Sequence, residues 1–213
     1  LLDVNSRADT LCTVTEPAGA STLVSGSKFI AYLAPSASGD EAAGALEERR
    51  RRYPDATHHC WAFRVGRPGE LFERSADAGE PSGTAGRPIL DALRHAELEN
   101  VTCIVTRYFG GTKLGTGGLA RAYAGAADEA ISAAAIVIRQ IVQVVAVDFD
   151  HERTGPLFRA LDEFGLYLTP GVYDERAHGT VQVPLSQVAR LQARLTELVR
   201  SGIEMTPGEI ILV

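Results

Sequence analysis

Between Arg107 and Tyr123 the chain reads RYFGGTKLGTGGLARAY, with five glycines from Gly110 to Gly118 and one lysine, Lys113, among them. Glycines let a backbone approach a ligand closely, and the start of the helix that follows leaves N–H groups pointing outward. Such N–H groups hold anions, most often phosphate. Arg107, Lys113 and Arg121 add positive charge around the run. The candidate phosphate- or RNA-binding residues are therefore Arg107, Gly110, Gly111, Lys113, Gly115, Gly117, Gly118 and Arg121. A structural reading stands beside this one. The glycines would form a tight turn and let a helix carrying Ala122, Ala126, Ala127, Ala130 and Ala134 pack close to a sheet.

Two nucleotide motifs fail on spacing. Gly115, Gly117 and Ala120 match G-x-G-x-x-A, but a dinucleotide site also needs an acidic residue about 20 residues on, where Gln140 stands. A Walker A loop ends in Gly-Lys-Ser/Thr, and Lys113-Leu114 breaks that pattern.

A second loop, Asp77 to Gly86, reads DAGEPSGTAG and leads into a helix. It can cap that helix, and it supplies Asp77, Glu80 and Thr84 as supporting residues. The expected role of Glu80 is an ion pair with a nearby arginine; acid–base work or metal binding is the alternative. His58 and His59 are adjacent on a strand and point to opposite faces, so they do not share a metal. One of them lines a surface with the glycine run. No metal site, cofactor or catalytic residue is expected. Cys12, Cys60 and Cys103 form no C-x-x-C pair, which points to a reducing, cytoplasmic setting.

The positioning elements fall into an α+β pattern of two domains, 1–138 and 139–213. In the first, strands are predicted at Thr10–Glu16, Thr22–Val24, Phe29–Leu33, His59–Val65 and Val101–Tyr108. Helices are predicted at Ser38–Tyr53, Arg87–Glu97 and Leu119–Ala135, with Gly66–Gly86 as loop. The run EERRRR on the first helix predicts Glu47–Arg51 and Glu48–Arg52 pairs on a solvated face. In the second domain the order is strand Ile136–Phe149, helix Arg153–Phe164, strands Tyr167–Tyr173 and His178–Pro184, helix Ser186–Arg200, strand Ile203–Val213. That is the βαββαβ order of a ferredoxin-like domain.

A net charge of -6 speaks against a broadly basic nucleic-acid-wrapping surface, though not against a local basic patch. No apolar run reaches membrane-spanning length, and the opening LLDVNSRADT lacks a basic segment followed by an apolar core, so neither a span nor a secretory leader is expected.

GEPSGTAGRPIL followed by VTRYFGGTKLGTGGLARAY, after HHCWAF, closely resembles the Impact family and its bacterial YigZ-like members. The resemblance runs from about Lys28 to Ala135; beyond it, the second half matches the family's small C-terminal domain in pattern alone. The family's second loop usually reads D-D-G-E-P, and Ala78 replaces its second acidic residue. The resemblance implies a first domain like the second domain of a small-subunit ribosomal protein and domain IV of elongation factor G. It implies a last domain like that factor's ferredoxin-like one. Eukaryotic Impact is a translation regulator. The function expected here is a non-enzymatic binding protein that contacts RNA, the ribosome or a translation factor. The alternatives are a phosphate- or nucleotide-binding enzyme resembling small-molecule kinases, with Asp77 and Glu80 as its carboxylates, and a protein-interaction adaptor.

Overall fold

A computed structural model of the chain describes residues 9–67, 70–173, 175–199 and 202–213. The chain divides into two compact units. One is Cys12–Ile138; the other is Arg139–Val213 together with the segment up to Leu11. The first strand, β1 (Thr10–Val14), pairs in the second of two sheets.

The first unit is built on an antiparallel sheet of β2 (Ala18–Val24), β3 (Ser27–Pro35), β4 (His58–Arg67), β5 (Glu70–Ala76) and β6 (Val101–Tyr108). Their spatial order is β2-β3-β6-β4-β5. Three helices pack on it: α1 (Gly39–Arg52), α2 (Gly86–His95) and α3 (Gly115–Ser132). Alternation along the strands sorts side chains onto two faces. Phe29 and Leu33 of β3, Cys60 and Ala62 of β4, and Cys103 and Val105 of β6 cluster with Ile89 and Leu93 of α2 and the alanines of α3. Phe63 and Val65 of β4 instead cluster with Ala42 of α1. The central strand β6 is buried on both faces as far as Arg107. Ala122, Ala126, Ala127 and Ala130 are all buried, which allows α3 to lie close on the sheet.

Four local expectations are corrected. The segment read as loop contains β5, an edge strand paired to β4 from Trp61↔Ala76 to Arg67↔Glu70. Its partners lie outside its own sequence: Phe72 packs on Phe63 at 5.9 Å between ring centres, and Glu73 pairs with Arg64 and Arg94. Secondly, α3 begins at Gly115, a full turn before Leu119, so the glycines are inside the helix start. Thirdly, β2 begins at Ala18 because its register to β3 extends to Ala18↔Leu33. Finally, the α1 pairs are Arg50–Glu47 and Arg49–Glu48. Arg49 is buried, with its guanidinium 4.0 Å from the centre of the Tyr32 ring, so it faces the sheet and not solvent.

The second unit contains β7 (Ile136–Phe149) from Arg139 onward, α4 (Thr154–Asp162), β8 (Leu168–Tyr173), β9 (Ala177–Pro184), α5 (Leu185–Val199) and β10 (Ile203–Leu212). The order β10-β7-β9-β8, with every pair antiparallel, is the ferredoxin-like arrangement, and β1 also pairs with β7. Its core joins Val145, Val147 and Phe149 to Leu157, Leu161, Leu191 and Leu195. Ser186, expected as the N-cap of α5, lies inside the first turn. The cap is Asp9, whose carboxylate accepts the Ser186 N–H at 2.7 Å and its hydroxyl at 2.5 Å. The expected end of that helix, Arg200, lies outside the described residues. The architecture is α+β throughout. Among the described residues, no helix is long and apolar enough to cross a membrane.

Candidate functional site

The register of the first sheet sets the site. Phe29, Arg107 and His58 lie side by side on β3, β6 and β4. Arg107 shares the helix-bearing face with Val105 and Cys103 by strand alternation. It is therefore not an exposed loop cation: only 5% of its side chain is exposed. Its Nη1 donates to Glu80 Oε1 at 2.5 Å and its Nη2 to Ser27 Oγ at 3.2 Å. Nε is buried, with no hydrogen-bond partner among the described residues. The guanidinium also lies 5.4 Å from the Phe29 ring centre and 5.5 Å from that of Phe109.

Glu80 is held from two more directions. Tyr123, on α3, donates its hydroxyl to Oε1 at 2.7 Å, and His58 Nε2 stands 3.9 Å from the same oxygen. Burial first, then the neighbouring Cys60 and Glu80, push the Tyr123 hydroxyl far above its ordinary range, so it stays a donor. A buried carboxylate thus has a cation and a hydroxyl as partners, which is what burial of a charge requires. Burial also pushes the thiols of Cys60 and Cys103 up to about 12. Neither is a thiolate at neutral pH, so neither is a nucleophile.

The loop from Asp77 to Ala85 is fixed by Asp77. Its carboxylate accepts the N–H groups of Ala85 and Gly86 at 2.9 Å and of Gly83 at 2.8 Å, and so caps α2 from a distance. Thr84 gives its hydroxyl to Pro81 O at 2.6 Å, inside the loop. Ala78 has a positive φ of 46°, a conformation that aspartate tolerates better than alanine, and its carbonyl accepts from His58 Nδ1 at 3.0 Å. Burial raises the Asp77 carboxyl, but the N–H bonds from Gly83, Gly86 and Ala85 outweigh it and hold the group below its ordinary range. Its folded pKa is depressed, so the stabilisation is present above the unfolded value of about 3.9 and is lost as pH falls through the folded value. Asp77→Asn, which exchanges charge-assisted bonds for neutral ones, is therefore expected to cost about 1–2 kcal/mol at neutral pH. Urea melts from pH 7 to pH 3 should show the gap between wild type and variant closing on the acid side. A constant gap would refute the cap.

The glycine run divides into two parts. Gly110 and Gly111 form the turn after β6, and Gly115, Gly117 and Gly118 are the first turn of α3. Residue Gly110 touches the β2–β3 turn: its N–H reaches Ser27 Oγ at 3.2 Å, and a Cβ there would stand 1.9 Å from the carbonyl carbon of Gly26. Leu114 precedes α3 in a helical conformation without capping it, and the first turn holds no acidic residue. Lys113 and Arg121 are exposed beside this start. The Arg121 guanidinium leans back over Gly117, where a Cβ would be 3.6 Å from Nη1.

Glu80, Arg107, Lys113 and Gly115 line one cavity of about 370 Å³. Its remaining wall is Pro81, Phe109, Leu114, Thr116 and Leu119. His59 is elsewhere. It lies on the α1 side of the sheet, with Nε2 donating to Tyr53 O at 3.2 Å and Nδ1 facing Thr106 Oγ1 at 3.1 Å, and burial lowers its pKa. Asp77 and Thr84 serve the loop's own geometry. Among the described residues, no group of three or more His, Cys, Asp or Glu could hold a metal.

Ser27, Phe29 and Tyr123 complete the site; of these, Ser27 and Phe29 were not expected in it, and Tyr123, an aromatic flanking the glycine run, is buried. Ser27 carried a signal: it is a polar residue two positions before Phe29, on the same core-facing register as Phe29, Ala31 and Leu33. Beginning the strand at Phe29 hid it.

The Impact N-terminal domain model matches residues 25–131. YvyE, an IMPACT family member of Bacillus subtilis, is 30% identical over 198 residues, which is 93% of this chain and 91% of its own. An IMPACT family member in the pol 5′ region of Thermus thermophilus is 48% identical over 109 residues, 51% of this chain and 57% of its own. A solved structure described as a hypothetical protein has a TM-score of 0.66 and 27% identity, covering 94% of this chain and 98% of that one.

Proposed function

We propose that this chain, which belongs to the Impact family, is a non-enzymatic binding protein of the translation machinery that holds RNA phosphates at the start of α3. The observation that carries this reading is the start of that helix. Among the described residues no side chain caps it and neither Lys113 nor Arg121, exposed beside it, has an ion pair, and its first turn holds no carboxylate. Unsatisfied N–H groups, the helix dipole and two unpaired cations together favour an anion. A net charge of -6 over the whole chain makes this a local patch and not a general affinity for polyanions. The link to translation rests on the likeness of the two domains to ribosomal-protein and elongation-factor domains that the family resemblance implies.

Phosphoryl transfer fits the site less well. It needs a base and a magnesium ligand. Asp77 already accepts three backbone N–H groups, and Glu80 is held by Arg107 and Tyr123. Both carboxylates have a structural use in full.

Filter binding of ribosomes and of structured RNA tests the reading. Raising salt from about 50 mM to about 200 mM should weaken binding by about tenfold or more. Lys113→Ala/Arg121→Ala should weaken it at low salt. No binding at low salt, or undiminished binding by the variant, contradicts the proposal. A partner retained after nuclease treatment would instead identify a protein adaptor.

A further inference from the structure

The cavity beside α3 has a composition that bare phosphate binding leaves unexplained. Its polar lining is Glu80, Arg107, Lys113 and the helix start at Gly115. Its apolar lining is Pro81, Leu114 and Leu119, with the half-exposed ring of Phe109, which the Arg107 guanidinium approaches to 5.5 Å. A volume of about 370 Å³ is at the small end for a ligand pocket and suits one small ligand, not a run of chain.

Charge narrows the ligand further. Arg107 and Lys113 face one carboxylate, Glu80, whose Oε1 already accepts from both Arg107 and Tyr123. The balance is cationic. Arg107, 5% exposed at its side chain, keeps its Nε without a partner while lining this cavity. A buried donor left unpaired is costly, so this guanidinium has hydrogen-bonding capacity that Glu80 and Ser27 leave unfilled. This is an observation independent of the helix start.

We propose that the cavity takes one terminal nucleotide of an RNA, with its phosphate monoester at the start of α3 and Lys113 and its base against the Phe109 ring. This rests on the RNA reading above and sharpens it from a face to an end. A monoester carries more charge than the diester of a continuous strand, and every base presents a face on which an aromatic ring stacks. The site then selects the phosphorylated end without selecting sequence.

The test uses the full chain and two short single-stranded RNAs of one sequence, labelled at the 3′ end, one with a 5′-monophosphate and one with a 5′-hydroxyl. The 5′-phosphorylated RNA should bind about tenfold more tightly. Phe109→Ala should weaken its binding at least about fivefold, with Phe109→Tyr retaining it. Lys113→Ala, at an exposed position, should abolish the preference between the two ends. Adenosine 5′-monophosphate should compete where equal inorganic phosphate does not. Equal binding of both RNAs, unchanged by Phe109→Ala, would overturn the terminal site and leave the RNA-binding function standing. Failure of both RNAs and of ribosomes to bind at low salt would overturn both.

Discussion

Glu80→Ala is expected to cost about 3–5 kcal/mol of folding stability, the usual effect of removing one partner from a buried ion pair. Arg107 would keep its charge with 5% of its side chain exposed and with Ser27 as its remaining side-chain acceptor. The Tyr123 hydroxyl would lose its acceptor as well. A domain with about 5–15 kcal/mol of stability loses a large share of it that way. The midpoint of urea denaturation measures the effect. Two further variants separate charge from packing. Glu80→Gln should cost less, since an amide still accepts from Arg107. Glu80→Ala combined with Arg107→Met should recover stability relative to Glu80→Ala, because it removes the orphaned charge. A loss below about 1 kcal/mol for Glu80→Ala would mean that the pair is solvated and that the site is not built on it.

Gly110→Ala is the second large effect, expected to cost about 3 kcal/mol. The new Cβ would fall 1.9 Å from Gly26 C, 2.1 Å from Gly26 O and 2.3 Å from Ser27 N, all backbone atoms. The β2–β3 turn cannot give easily, because Ser25 and Gly26 both hold positive φ, 47° and 81°, in a two-residue hairpin turn. Displacing Ser27 would also disturb its bonds to Arg107 and to Gly110 N. Gly111→Ala is the control: its Cβ meets nothing within 4 Å, and only its φ of 86° resists the change, a cost of about 1 kcal/mol. If the two variants melt alike, the close approach at Gly110 is not what fixes the loop.

The sequence made some of this legible and concealed the rest for physical reasons. Strong period-two and helical patterns, such as the β-branched run of β7 and the alanine stripe of α3, depend on local spacing, and they placed those elements. Glu80 within a glycine loop suggested an arginine partner. Which arginine could not be read, because the partner lies 27 residues away across the sheet. Tyr123 and Ser27, 43 and 80 residues from the groups they bond, were hidden for the same reason. The edge strand β5 was masked by its glycine, proline and charged neighbours; β4 supplies its pairing and Arg64 and Arg94 supply its salt bridges. Arg107, near the end of the predicted strand Val101–Tyr108, reads as a phosphate-binding candidate because it borders the glycine run. Its position as the last core-facing residue of β6 turns it inward. What remains exposed for a polyanion is Lys113, Arg121 and the helix start between them.

The most direct measurement of the central claim is the dependence of RNA affinity on salt, compared between wild type and Lys113→Ala/Arg121→Ala. If these two side chains contact phosphates, the slope of log K against log salt should be shallower in the variant by about 1.4 for single-stranded RNA, about 0.7 for each contact removed. Parallel lines for the two proteins would contradict the account, because the phosphates would then be held somewhere other than the start of α3.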